Sequence, residues 1–182
     1  NRAINQNLSF DVRLTSLSQR GNNVSAFGLS DLYLNVNYAL APAVSFTLGL
    51  KYPLADGNLH KDGLPLPMDY QSSLGTTDLL VGFKHDIHKF QIVAAYQQPL
   101  TQNNNEFLAS DYPTDSKLSD FQSTFNYKRS GDVLLRVSYP ISLSQNLRLT
   151  PGLLPIYHLG NDKYTEAGIE KEITGSKGLT LN

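Results

Sequence analysis

Apolar and polar residues alternate with a period of two along most of the chain. The segment from Asp31 to Leu40 is typical, because Leu32, Leu34 and Val36 alternate with Tyr33, Asn35 and Asn37. Such alternation indicates a β-strand with one apolar face, since successive side chains of a strand point to opposite sides. The pattern predicts seven strands and the start of an eighth, over 8–14, 31–40, 44–52, 78–85, 90–97, 132–139, 147–158 and 178–182.

One uncharged window has the length of a membrane-spanning helix. Leu32–Leu50 contains no charged residue, and about 20 apolar residues are needed for a helix to cross a bilayer. Its polar residues follow strict alternation, and Pro42 lies near its centre. We therefore predict two strands joined by a turn for this window.

The connections between the predicted strands alternate in length. Short links are predicted at 41–43, 86–88 and 142–146, and long loops at 55–76, 100–127 and 160–178. In an up-and-down meander this places all short links at one end, as in outer-membrane barrels with periplasmic turns and extracellular loops. Soluble sandwiches use Greek-key links and have no reason for this order. The predicted fold is an all-β, transmembrane, antiparallel up-and-down β-barrel in the bacterial outer membrane.

The barrel is expected to be larger than the eight strands visible here. Bacterial single-chain barrels have even strand numbers, and an open sheet edge is not stable in lipid. The last predicted strand begins at Gly178 and stops at Asn182. We therefore expect residues 1–182 to be one incomplete barrel domain with further terminal strands.

One face of the predicted strands is apolar and uncharged. Aromatic residues on this face lie near strand ends, as expected where rings meet lipid headgroups. The alternative is a soluble, lipocalin-like barrel with the apolar face inward. The apolar set comprises Phe10, Val12, Leu14, Leu32, Leu34, Val36, Leu40, Leu48, Leu50, Val81, Ile92, Val133, Leu135, Val137, Leu149 and Leu153.

The charged residues are predicted to line the lumen. Near the long-loop end, neighbouring strands offer mostly opposite or polar partners: Arg13, Asp31, Lys51, Asp78, Gln97, Asp132 and His158. These residues form either a polar mouth that selects solutes or a cross-strand ladder that stiffens the wall. Toward the turn end, Lys84, Arg136 and Arg148 have no matching acid on their strands. They predict a positive zone that favours anionic or dipolar solutes, unless strands outside the sequence supply the acids.

Composition and motifs give no sign of catalysis, metal or cofactor binding. The chain has 15 basic and 16 acidic residues and no cysteine, so nothing indicates nucleic-acid binding or a cysteine-based zinc site. Hydrolase, metalloprotease and phosphate-loop motifs are absent from the sequence. His85 and His88 flank a turn without further ligands nearby, and Asn103–Asn105 is predicted to be a solvated loop tip.

Three segments carry a resemblance to a known family. They are Gly28–Leu34 at a strand start, Tyr70–Gly82 at the end of a long loop, and Gly175–Asn182. Together they resemble the outer-membrane transporter family named for the meta-pathway of phenol degradation. The resemblance implies uptake of small, often aromatic or hydrophobic, compounds. The family has no sharply defined ligand motif, so it assigns no binding residue.

The expected function is therefore passive uptake of small molecules through a polar lumen gated by the long loops. The expected partners are the lipid bilayer, lipopolysaccharide, the small-molecule solute and other outer-membrane proteins. The alternative is a structural barrel subunit of a larger outer-membrane complex, with a plugged lumen. An open lumen favours uptake, and a lumen filled by side chains favours the structural role.

Overall fold

The computed structural model describes residues 2–181 of the chain. Strands account for 54% of the chain, every strand pair is antiparallel, and the helical elements within 2–181 are three short 3-10 helices. The predicted all-β class is therefore confirmed. None of these helices has the length and apolar character that crossing a bilayer would need.

The elements follow one another along the chain with short strands inserted in the long loops. In order they are β1 (Arg2–Ala3), β2 (Leu8–Gly21), β3 (Val24–Ala41), β4 (Val44–Pro53), β5 (His60–Lys61), β6 (Leu64–Pro65), η1 (Met68–Tyr70), β7 (Asp78–Ile87), β8 (Phe90–Pro99), η2 (Ala109–Asp111), η3 (Lys117–Asp120), β9 (Asp132–Ser138), β10 (Ile141–Ser142), β11 (Arg148–Leu149), β12 (Gly152–Leu153), β13 (Pro155–His158), β14 (Lys163–Glu166), β15 (Ile169–Glu172) and β16 (Gly178–Leu181).

The main sheet is an up-and-down meander. Its order is β1-β2-β3-β4-β7-β8-β9-β13-β16, with β12 also paired to β9, while β5–β6, β10–β11 and β14–β15 form separate hairpins. Short links lie at 42–43 and 88–89, and the segments 54–77, 100–131 and 159–177 lie at the other end. The alternation of short and long links is confirmed for these links, whereas β9 and β12 are joined by residues 139–151, which contain the β10–β11 hairpin and exceed the turn predicted at 142–146. The sheet is open within residues 2–181, because β1 and β16 do not pair.

The first hairpin is longer than the sequence pattern predicts. Residues 15–30, outside the predicted strands, extend β2 and β3 to a two-residue turn at Asn22 and Asn23. These residues have φ angles of 48° and 59°. Two positive φ angles in succession are what a twisted two-residue hairpin requires, and asparagine adopts them at lower cost than most residues.

A β-bulge changes which face the side chains of residues 16–29 occupy in this hairpin. Ser30 and Asp31 of β3 lie opposite the single residue Thr15 of β2, whose hydroxyl accepts a hydrogen bond of 3.1 Å from the Asp31 amide. An extra residue reverses the alternation beyond it. Leu29 consequently shares the face of Leu14 on the partner strand, while Ala26 is buried beneath the long segments.

The predicted seventh strand is not continuous. Residues 147–158 divide into β11, β12 and β13, and only β12 and β13 pair with β9. Pro151 lies at the break and lacks the N–H that a central strand must donate. Arg148 and Leu149 therefore belong to the small β10–β11 hairpin and not to the main sheet, which corrects their predicted places on its two faces.

The two faces of the main sheet differ in polarity as predicted. The register joins one row of residues across eight strands: Phe10, Val36, Leu48, Val81, Tyr96, Val133, Tyr157 and Leu179. All eight are apolar or aromatic and between 36% and 69% exposed. We call this side the apolar face. The opposite, polar face holds Asn35, Thr47, Lys84, Gln91 and Arg136.

The buried core lies in the long segments and not between layers of sheet. Leu66 and Tyr70 of segment 54–77 and Leu118 of segment 100–131 pack on Val24 and Ala26 of β3. These two segments therefore form one compact unit against the long hairpin. We call this unit the loop cap.

Asparagines hold the two segments of the loop cap together. Asn103 donates to the Leu74 carbonyl (2.6 Å), and Asn105 donates to the carbonyls of Gly57 (2.9 Å) and Leu66 (3.0 Å). Asn103 and Asn105 are buried, and only Asn104 is exposed. The prediction of a solvated tip at 103–105 is therefore wrong, because these amides satisfy backbone groups that the cap buries.

We expect Asn105→Leu to loosen the loop cap and leave the main sheet in place. The substitution removes hydrogen bonds to two carbonyls, the Phe107 amide (3.0 Å) and the Thr124 hydroxyl (2.7 Å), and each buried group left unpaired costs about 1–3 kcal/mol. Hydrogen exchange should accelerate in 54–77 and 100–131 but not in β7–β8. Asn104→Leu at the exposed neighbour is the control. Equal exchange in the two variants would contradict the assignment.

Candidate functional site: the polar face

The polar face lines an open cavity of about 810 Å³. Asp11 and Arg13 of β2 line it together with Leu134 and Arg136 of β9. Those strands are five positions apart in the sheet, about 24 Å if the sheet were flat. The sheet must therefore curl, with the polar face inside and the apolar face outside.

An ion network closes the end of the polar face beneath the long segments. Lys51 on β4 contacts Asp78 on β7, with 2.8 Å between Nζ and Oδ2. Arg129 of segment 100–131 lies 3.3 Å from the same carboxylate and also pairs with Asp132 on β9. His158 Nδ1 on β13 lies 2.5 Å from Asp132 Oδ1. We call these five residues the loop-end network.

The central charges of the loop-end network are buried, so their pairing contributes to the stability of the fold. The side chain of Asp78 is fully buried and that of Lys51 is 3% exposed. Charges taken out of water require partners of opposite sign and further hydrogen bonds. Gln97 donates to Asp78, and Lys51 donates to the Thr76 hydroxyl (3.2 Å). These contacts favour the wall-stiffening interpretation of the mouth residues.

The predicted ladder of mouth residues forms only in part. Lys51–Asp78, Gln97–Asp78 and Asp132–His158 meet across neighbouring strands. Arg13 and Asp31 do not meet, because the register places Arg13 opposite Tyr33 and Asp31 opposite Pro53.

Arg13 and Asp31 have other partners. The Arg13 guanidinium lies 4.6 Å from the centre of the Tyr33 ring. The Asp31 carboxylate accepts from the Ser73 hydroxyl of segment 54–77 (2.7 Å) and from Ser30 (3.0 Å). Asp31 thus ties β3 to the loop cap.

The predicted positive zone toward the turn end is smaller than expected. Lys84 pairs with Asp86 two residues along its own strand, at 2.9 Å, so the expectation that its strand has no matching acid is wrong. Residues two apart in a strand share a face, which explains the contact. Arg148 lies on the separate hairpin. Arg136 remains on the polar face, exposed, and forms no ion pair within residues 2–181.

Arg129 is the main residue that sequence reasoning missed. It lies in a segment without periodicity, so no pattern indicates its contact with two strands. The available signal was indirect: Asp78 and Asp132 begin two strands on either side of β8, and both carboxylates need more positive charge than Lys51 and His158 supply. Loop cations are the remaining source.

The third long segment also joins the loop cap. Lys128 and Lys163 exchange backbone hydrogen bonds and both contact Glu170 of β15. Hydrogen bonds from Lys128 and Lys163 lower the pKa of Glu170 to about 2. Burial, followed by the hydrogen bond to Asp162, raises the pKa of Tyr127. The loop end is thus a connected structure across 54–77, 100–131 and 159–177.

No metal-ligand group is found in the described part of the chain. Residues 2–181 contain no set of three or more His, Asp or Glu side chains placed to hold a metal ion. His85 lies on the apolar face of β7, and His88 has a positive φ of 55° in the following turn.

Comparisons with known proteins give no match. No protein-family model matches the chain, and neither the curated proteins nor the solved structures contain a significant match. The transporter resemblance therefore stays a hypothesis based on three segments.

We expect Arg129→Met to destabilise the loop end strongly. The substitution leaves Asp78 and Asp132 with reduced compensation in a buried site, and removal of one partner from a buried ion pair costs about 3–5 kcal/mol. Denaturant unfolding and hydrogen exchange in 100–131 measure the effect. Arg20→Met, at the exposed tip of the first hairpin, should change stability by less than about 0.5 kcal/mol. Similar losses in both variants would contradict the anchoring role.

Proposed function

We propose that this chain forms part of a transmembrane β-barrel of the bacterial outer membrane that lets small molecules cross by passive diffusion. The single observation that carries the proposal is the apolar face. From the row of Leu8 and Tyr38 to the row of Leu14 and Leu32, it holds no charged residue on the long strands. Arg2 of the short edge strand β1 is the charged residue that the described chain places beside it.

The curvature supports a lipid environment over a soluble barrel. A lipocalin-like barrel buries its apolar face inside, whereas here the inside of the curve carries Asp11, Arg13 and Arg136. The outside exposes large side chains such as Leu48 (59%) and Val12 (51%). Soluble monomers rarely expose contiguous apolar surface beyond a few hundred Å². Lipid acyl chains and lipopolysaccharide are the partners that suit this surface.

Aromatic residues at the turn end support an interfacial position. Phe46 and Phe83 pack edge to face on neighbouring strands, with ring centres 5.1 Å apart, and Phe90 and Tyr139 do so at 5.0 Å. Tyr52 lies exposed toward the opposite end of β4. Aromatic residues at both ends of an apolar band are typical of outer-membrane barrels.

Closure of the barrel requires strands beyond those described. Backbone groups in the hydrocarbon region must be hydrogen-bonded, so an open edge is unstable there. Within residues 2–181, β16 and most of β2 each have a free edge. The proposal therefore includes additional strands between β16 and β2.

A second candidate is a structural barrel subunit of a larger outer-membrane complex. The loop cap favours it, because Leu66, Tyr70 and Leu118 form a buried core over one end of the polar face. Arg129 fixes this cap to β7 and β9. A cap held this firmly would obstruct passage unless it moves.

We expect Val36→Arg to destabilise the protein in lipid vesicles by about 2–4 kcal/mol, the cost of an arginine facing the bilayer midplane. Val36 lies in the central row of the apolar face. Asn37→Arg is the matched control on the polar face; it should lose about 1 kcal/mol with the Thr47 hydrogen bond. Urea unfolding in vesicles measures both. Equal losses would argue against a lipid-facing surface.

Conductance in planar bilayers tests the passage itself. The reconstituted full chain should show discrete conductance steps. Arg129→Met should increase the open fraction, because it frees segment 100–131 from the strands. Insertion without conductance in both proteins would favour the structural subunit, and failure to insert would contradict both candidates.

A further inference from the structure

The cavity on the polar face has two chemically different walls. On the β2–β4 side it is lined by polar side chains, including Asn35, Asn37 and Thr47. On the β7–β9 side it is lined by an apolar patch of Leu80, Val93, Ala95 and Leu134, with the polar residues Gln97 and Arg136 beside the patch.

This apolar wall departs from the strict alternation of a water-filled lumen. Val93 lies between Lys84 and Arg136 in the register, and Leu134 lies beside Ala95 one row further along. All three apolar side chains are half-buried. An apolar patch inside a polar cavity is the common arrangement for a small-molecule site, and 300–1,000 Å³ is the usual size.

Two arginines give the cavity a net positive charge. The ionisable lining residues other than tyrosine are Arg13, Arg136 and Asp11. Arg13 lies over the Tyr33 ring, which orients a guanidinium without using all of its N–H donors. Arg136 is adjacent to Val93 in the register and forms no ion pair within residues 2–181. Asn35 donates to Asp11 (3.5 Å).

We propose that this cavity binds a small organic anion with an apolar body, such as a cyclic or short-chain carboxylate. The carboxylate would contact Arg136, Arg13 would add to the positive charge of the cavity, and the body would lie on Leu80, Val93 and Leu134. Guanidinium and carboxylate form charge-assisted, often bidentate, hydrogen bonds. The inference rests on the proposed function, since it names the solute class that the passage admits.

Positive charge alone would attract any anion. The apolar residues of the cavity restrict the expected ligands to anions that also have an apolar body. An inorganic anion would leave Leu80, Val93 and Leu134 facing water, with no gain from their burial. A neutral apolar molecule would leave the arginine donors without a partner of opposite charge. Only a ligand with both a negative charge and an apolar body pairs with the arginine donors and also buries the apolar residues.

The test is equilibrium binding to the purified full chain in a neutral detergent, measured by saturation-transfer NMR and titration calorimetry. The probe is cyclohexanecarboxylate. Two comparison ligands keep the shape of the probe and change its charge: the neutral amide cyclohexanecarboxamide and the cation cyclohexylmethylammonium. A third, acetate, keeps the negative charge and lacks the apolar ring. We expect the carboxylate to bind at least about tenfold more tightly than the amide and the cation, as one charge-assisted hydrogen bond implies. It should also bind at least about tenfold more tightly than acetate, because the ring buries apolar surface.

Variants locate the site. Arg136→Gln should weaken carboxylate binding about tenfold and leave the amide unchanged. Leu134→Asn should weaken the carboxylate and the amide alike. Lys84→Gln is the matched control, because Lys84 pairs with Asp86 and does not line this cavity. Unchanged hydrogen exchange in β8 and β9 confirms that the variants are folded.

Equal binding of acetate and cyclohexanecarboxylate would overturn the proposal, as would unchanged binding in Arg136→Gln. These results are independent of conductance. Conductance without carboxylate binding would be consistent with the proposed passive diffusion but would contradict the proposal that the solute is an organic anion. Carboxylate binding without conductance would support the anion site and would favour the structural barrel subunit over the channel.

Discussion

The separation of charge onto one face of a curled sheet is the constraint on which the rest of this structure depends. In the row from Phe10 to Leu179, eight strands contribute an apolar or aromatic side chain to the same side. A one-residue slip in any strand would move its charges to that side. Lys51 and Asp78 illustrate the consequence, because the register that pairs them on the polar face also pairs Leu50 with Leu79 on the apolar face. Register, curvature and charge pairing are therefore fixed together.

The stability of the loop end follows from that register. Asp78 on β7 and Asp132 on β9 flank Gln97 of β8 at the end of the polar face, where both carboxylates are buried and need compensating positive charge. Strand residues supply part of it through Lys51 and His158, and the loop supplies Arg129. The loop cap is thus held by electrostatic pairing at its base and by a small apolar core above it. This arrangement explains how long segments without regular structure can adopt one conformation.

The sequence predicts the strands and their faces well, because period-two alternation is a local signal. Leu48 and Thr47 could be assigned to opposite faces without knowledge of any neighbour. The features it did not predict depend on contacts distant in the chain. Asn103 and Asn105 resemble a solvated tip until segment 54–77 supplies the carbonyls that they bond. The contacts of Arg129 with Asp78 and Asp132 form only once β7 and β9 flank β8 in the sheet.

Other differences between the predicted and the observed strands have a local cause, but the residues involved are compatible with more than one structure. The pair Asn22–Asn23 is compatible with a loop or with a tight hairpin turn, and Pro151 is compatible with a strand interruption or a strand edge. Within the polar face, the predicted ring of alternating charges was half right. It assumed that residues at similar strand positions meet, whereas Arg13 lies opposite Tyr33 and Asp31 belongs to the bulge opposite Thr15. Charge pattern alone cannot locate an unpaired bulge residue.

The departure of the polar face from strict alternation bears most directly on function. A lumen that only conducts water and ions gains nothing from Val93 and Leu134 on its inner side, and apolar surface there costs hydration free energy. Their position beside Arg136 places an apolar contact next to a cation that the described chain leaves without an ion pair. Lys84, two strand positions away on β7, pairs with Asp86, so the absence of an ion-pair partner among residues 2–181 is specific to Arg136 and not general to this end of the face. A cation without an ion pair in the described chain, beside an apolar patch and inside a curled sheet whose outer face is largely apolar, is the arrangement expected of a site that recognises an amphipathic anion.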